Sequence, residues 1–192
     1  SQGIEGGDLY KPADNKARVV RAEFLRKIDA DYFARIRKVI RDAGCNAAIT
    51  YSNLWRGENN LQMHAEKADF METHFYGDPL VSRKADDFIN DIAKSAVAGK
   101  PLIVSELNQA EGQKNIDAQA SVRSMLPLAT AAYGSLHNWS GVTWFAWCHG
   151  TSMIGPDGWA KTEARVPNLG NMAADGMQID HLRTAGILFK RG

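Results

Sequence analysis

The sequence predicts an α/β protein built on parallel strands, and three observations predict it. Gly99 to Asn108, G-K-P-L-I-V-S-E-L-N, opens on a Gly-Lys-Pro turn, runs through Leu102, Ile103 and Val104, and stops on Glu106. A short apolar run with proline only at its start suits a strand buried on both faces, and its C-terminal tip is where active sites of α/β proteins are built. Ala68 to Tyr76 alternates instead, with Glu72, His74 and Tyr76 on one face and Met71, Thr73 and Phe75 on the other. Between the strands lie helical patterns long enough for right-handed parallel crossovers.

In chain order, a loop over residues 1–15 precedes a helical pattern from Lys16 to Ile28 that resumes at Asp31, one helix or two joined near Asp29. Tyr32, Phe33, Ile36, Val39, Ile40 and Ala43 recur at three- and four-residue steps and mark its inner face, with Gly44 as C-cap. A strand is predicted over Asn46 to Ser52, ending in a loop with Asn53, Trp55 and Arg56, and a short helix over Leu61 to Lys67. Gly77, Asp78 and Pro79 break the alternating strand. Ser82 then caps a helix whose Phe88, Ile89, Ile92, Ala93, Ala96 and Val97 form an apolar stripe ending at Gly99. A helix over Ile116 to Leu136 places Val122, Met125, Leu126, Ala129 and Tyr133 inward, with Pro127 as a kink. Gly141 to Cys148 reads as a fourth strand, residues 149–171 as a long loop around Trp159, and Met172 to Phe189 as a final helix. The order is one helix and then four parallel strand-helix units in a single domain.

Charge and composition bound the partners. Lys+Arg 23 against Asp+Glu 22 leaves a formal net charge of +1 with no basic stripe, which argues against nucleic acid and acidic membranes. No apolar run approaches the roughly 18 residues of a membrane span, and Ser1 to Tyr10 are polar and Gly-rich rather than signal-like, so a soluble chain with a neutral substrate is expected. Cys45 and Cys148 fall at opposite ends of parallel strands, roughly 15 Å apart at about 3.3 Å per residue, too far for a disulfide. Five His without metal-ligand spacing predict no metal site. No Gly-rich phosphate loop follows any strand, so no cofactor is expected and an open flavodoxin-like sheet binding phosphate ranks last.

D-F-M-E-T-H-F-Y (Asp69 to Tyr76), K-P-L-I-V-S-E-L-N (Lys100 to Asn108) and G-V-T-W-F-A-W (Gly141 to Trp147) together resemble the sixth, seventh and eighth strands of clan A retaining glycoside hydrolases. Those are (β/α)8 TIM barrels of the cellulase and mannanase type. The closing H-L-R-T-A-G-I-L-F-K-R-G also resembles the end of the final helix in some bacterial members. The resemblance implies the C-terminal half of such a barrel, acting on a β-linked oligo- or polysaccharide. It makes Glu106 the nucleophile, His74 and Tyr76 its neighbours on the adjacent strand, and Trp147, or else Trp144, a sugar platform. Asn53, Trp55 and Asn108 complete the expected substrate-binding set. The family's acid/base lies in an Asn-Glu pair on the fourth strand; no such pair precedes the first helix here, and Glu5 is a weak substitute. The acid/base is therefore expected upstream, and the isolated chain is expected to be weak or inactive.

A half barrel exposes strand edges, which predicts a homodimer or pairing with a complementary N-terminal half. A non-catalytic carbohydrate-binding or scaffold half barrel is the alternative. On that reading His74 and Tyr76 satisfy each other, while Trp144 and Phe145 are core.

Overall fold

The computed structural model describes residues 15–53, 58–76, 90–108, 116–147, 172 and 175–191. The chain divides into two compact units, one ending at Phe70 and one beginning at Met71.

In the first unit, α1 (Asn15–Asp42) is one uninterrupted helix of 28 residues, followed by α2 (Glu58–Lys67). Helix α1 ends in a Schellman turn. Gly44 adopts φ 83°, its N–H donates to Arg41 O at 2.9 Å, and the Cys45 N–H donates to Ile40 O at 3.2 Å, which satisfies the last carbonyls. Cys45 is an exposed free thiol, and Cys148 lies outside the described residues. The Phe33 ring meets Tyr51 at 4.6 Å, and Tyr51 stands edge-on to His64 of α2 at 5.7 Å, with Met63 and His64 buried. Tyr32, Ile36 and Val39, expected to face inward, are exposed instead. At 1.5 Å per residue α1 is about 42 Å long and α2 only about 15 Å, so the shorter helix cannot cover the longer one.

Residues 46–52 do not form the strand that their pattern predicts. Their backbone groups bond to side chains instead. The Ile49 N–H donates to Asp69 Oδ2 at 2.8 Å, and Arg41 Nη1 donates to the carbonyls of Cys45 and Ala47 at 2.8 and 2.9 Å. Side chains that bond backbone groups in this way compete with a strand ladder. One backbone bond, from Asp69 N–H to Ile49 O at 2.8 Å, runs alongside them. Asp69 also accepts from Arg37 Nη2 at 2.8 Å and from Arg41 Nη2 at 3.3 Å.

The second unit holds β1 (Met71–Tyr76), β2 (Leu102–Asn108) and β3 (Gly141–Trp144), a parallel sheet in the order β1-β2-β3. The described residues thus show an α/β arrangement with three parallel strands where the sequence predicts four. The predicted helix before β2 is described only from residue 90; Ile92 is buried, and Ser82, Phe88 and Ile89 lie outside the described residues. The turn into β2 closes with the Lys100 N–H on Val97 O at 3.1 Å. Gly99 takes its third position at φ 79°, a conformation other residues resist. Met71, Leu102, Val104 and Leu107 form a buried apolar face.

Two further helices complete this unit, α3 (Ile116–Leu136), with Pro127 inside it, and α4 (Gly176–Arg191). Leu126, Thr130 and Ala131 of α3 are buried, while Met125, expected inward, is exposed. Helix α4 starts later than predicted because Asp175 caps it, its carboxylate accepting the Gln178 N–H at 3.1 Å. The two helices are tied by Ser135 Oγ donating to the carbonyls of Leu188 and Phe189, each at 3.3 Å, and by His181 Nδ1 donating to Ser124 O at 2.5 Å. No helix among the described residues is long and apolar enough to cross a membrane.

The Arg37 guanidinium, and next the Ile49 N–H, hold the Asp69 carboxyl below its ordinary value. A depressed carboxyl contributes stability that is complete above about pH 4 and is lost as pH falls through the lowered value. Asp69→Ala is expected to destabilise the first unit by about 1–2 kcal/mol at pH 7, the pair being partly open to solvent, and by less at pH 2. Urea unfolding of both proteins at the two pH values measures it; equal losses at both would contradict the ionic role.

Candidate active site

A bulge in β2 builds the site. Register runs Met71 opposite Leu102, Glu72 opposite Ile103 and Thr73 opposite Val104, then shifts so that His74 lies opposite Glu106 and Tyr76 opposite Asn108. The same irregularity appears on the other side, where Val104 pairs with Val142 but Leu107 pairs with Trp144. Ser105 is the extra residue. In a regular strand, consecutive side chains point to opposite faces, so Ser105 and Glu106 could not both meet the β1 face that carries Glu72, His74 and Tyr76. The bulge puts both there. Ser105 Oγ donates to Glu72 Oε1, Thr143 Oγ1 of β3 donates to Ser105 O, and Glu106 meets His74 and Tyr76.

The polar groups form one connected chain. The Tyr76 hydroxyl donates to Glu106 Oε2. His74 Nδ1 lies 3.0 Å from that same Oε2, and His74 Nε2 lies 3.1 Å from Glu72 Oε1. The phenol and the imidazole therefore both meet one oxygen of Glu106. Oε1 has no partner among the described residues, and the side chain is 31% exposed. The ring of Tyr76 is steadied edge-on by His74 at 6.3 Å and by Phe145 at 6.1 Å.

Burial, and then the Glu106 carboxylate beside it, push the Tyr76 phenol well above its usual value, so it stays a hydrogen-bond donor through the alkaline range. Among the described residues no cluster of three or more His, Cys, Asp or Glu is arranged to hold a metal ion.

No family model, no curated protein and no solved structure matches the chain.

Of the residues singled out from the sequence, Glu106, His74 and Tyr76 come together. Asn108 is 1% exposed, its Nδ2 donating to Phe145 O at 2.8 Å and its Oδ1 accepting from Gln178 Nε2 at 3.3 Å, so it braces the chain after β3 and is closed to ligand. Trp147 is 57% exposed, three residues beyond β3, and is not among the rings that gather at Tyr76. Asn53 belongs to the first unit and is half-buried; Trp55 lies outside the described residues. Glu72, Ser105 and Phe145 join the site without having been singled out. The alternation of β1 already put Glu72 on the face of His74 and Tyr76. Nothing in S-E-L-N announces the bulge.

The Tyr76 proton contributes stability that is complete below about pH 10 and declines as pH rises toward the raised value. In a rapid alkaline jump, one of the five tyrosines is expected to lag until high pH, and the lagging phase is expected to vanish in Tyr76→Phe. Tyrosinate absorbance reads this directly; five phenols ionising together would contradict the pairing with Glu106.

Proposed function

We propose that this chain carries the nucleophile part of a retaining O-glycosidase acting on a β-linked oligo- or polysaccharide, with Glu106 as the attacking carboxylate. The observation that supports it is the shared oxygen: Tyr76 and His74 both bind Oε2, which leaves Oε1 without a partner among the described residues. A nucleophile needs one oxygen held by donors and the other free along the line of attack. In a retaining mechanism Oε1 bonds to the anomeric carbon as the leaving-group oxygen departs, and water later cleaves the resulting ester. Donors on Oε2 hold the carboxylate in place during attack and then support the ester carbonyl.

Such enzymes need a second carboxyl about 5 Å from the first to protonate the leaving group. Glu72 does not fill that role here, because the imidazole of His74 stands between it and Glu106. The acid/base is therefore assigned outside this cluster. Loss of general acid catalysis costs roughly 10²–10⁴ in rate, so this chain needs a substrate whose leaving group departs without protonation. Among the described residues β1 and β3 are the outer strands of the sheet, which supports edge pairing with a second copy or with a complementary half.

Dinitrophenyl 2-deoxy-2-fluoro β-glycosides test the nucleophile, since their glycosyl-enzymes form without an acid and hydrolyse slowly. Intact mass is expected to rise by one glycosyl unit, with the label on the peptide containing Glu106, and Glu106→Gln is expected to remain unlabelled. Labelling of Glu106→Gln, or saturable oligosaccharide binding with no label on either protein, would overturn the assignment and leave a sugar-binding scaffold.

A further inference from the structure

Glu72 is a nearly buried carboxyl, its side chain 10% exposed, on a strand otherwise sealed by Met71 and Thr73. A buried carboxylate is costly unless paired and hydrogen-bonded. Its partners include the Ser105 hydroxyl, on the bulge, and His74 Nε2. His74 faces a carboxylate oxygen at each ring nitrogen. Carboxylates accept only, so a ring nitrogen bonds its carboxylate through its own hydrogen, and turning the ring breaks the contact at both ends.

Resting on the reading of Glu106 as nucleophile, we infer that Glu72 is a positioning residue. Anchored by Ser105, it grips His74 through Nε2 and thereby aims the Nδ1 hydrogen at Oε2 of Glu106. The bulge serves two ends of one device, since Ser105 fixes Glu72 and the next residue is Glu106 itself. Without Glu72 the imidazole keeps one contact in place of two, and Glu106 loses the donor that works with Tyr76 to reserve Oε2. The reactive oxygen then ceases to be defined.

The test has two independent readouts on the full chain. Proton–nitrogen spectra of the histidine rings, with His74 assigned from its loss in His74→Asn, are expected to show two hydrogen-bonded ring N–H groups in the wild type. Glu72→Met, which keeps the volume but removes the acceptor, is expected to lose the Nε2–H signal, and Glu72→Gln, which keeps one acceptor oxygen, to recover it. In turnover of an activated aryl glycoside, Glu72→Met is expected to lower kcat by about 10²-fold with KM unchanged, the scale of a misplaced catalytic group, with Glu72→Gln in between. If Glu72→Met does not fold, Ser105→Ala frees Glu72 from its anchor and is expected to weaken the same Nε2–H signal. Ring signals and kcat unchanged in these variants would overturn the inference. A wild type without Glu106-dependent turnover would sink the nucleophile reading alone, because the ring spectra still decide whether Glu72 grips His74.

Discussion

One extra residue in β2 governs the second unit. A parallel pair buried on its apolar side cannot slip by a residue without turning that side outward, so the register of Met71, Leu102 and Val104 is firmly set. The bulge at Ser105 is the place where the sheet admits an irregularity, and it sits beside Glu72, His74 and Glu106 on the polar side of the strand pair. Burial on one side and a bulge on the other together give a rigid support with a locally re-aimed side chain. Sites built on strands hold their geometry better than sites on loops.

The polar chain from Tyr76 through Glu106 and His74 to Glu72 and Ser105 is internally complementary. Each carboxylate accepts, each hydroxyl donates, and the imidazole links the two acids. Buried polar networks specify structure when satisfied and are destabilising when half satisfied. The cluster is therefore a stability liability wherever one of its members loses its partner. In the first unit the same physics has a structural outcome. Asp69, held by Arg37, Arg41 and the Ile49 N–H, ties the segment after α1 to the end of α2.

Much of the second unit was legible in the sequence. The Leu102–Val104 run and the Gly-Lys-Pro turn mark β2, the alternation of Met71 to Tyr76 marks β1, and the span of α3 follows from its periodicity. Glu106, His74 and Tyr76 were grouped through the resemblance of their two strand motifs to the clan A hydrolases, and the register after the bulge sets His74 opposite Glu106. What was illegible depends on interactions that local pattern does not encode. Residues 46–52 have a strand's composition, but Arg41 and Asp69, distant in sequence, claim their backbone groups. The reach of Ser105 to Glu72 follows from the bulge, and Asn108, at the tip beside Glu106, is turned to Phe145 and Gln178 instead of to the cluster. Helix α1 carries an apolar stripe that periodicity reads as an inner face, yet only part of it finds a partner in its own unit.

The central claim is that Tyr76 and His74 reserve one oxygen of Glu106 so that the other attacks. A crystal structure of the chain after reaction with a fluoroglycoside tests it most directly, because it shows which oxygen carries the sugar. The account predicts an ester through Oε1, with Oε2 still within hydrogen-bond distance of the Tyr76 hydroxyl and His74 Nδ1. A glycosyl group on another residue, or a Glu106 carboxylate whose two oxygens are divided between Tyr76 and His74, would contradict it.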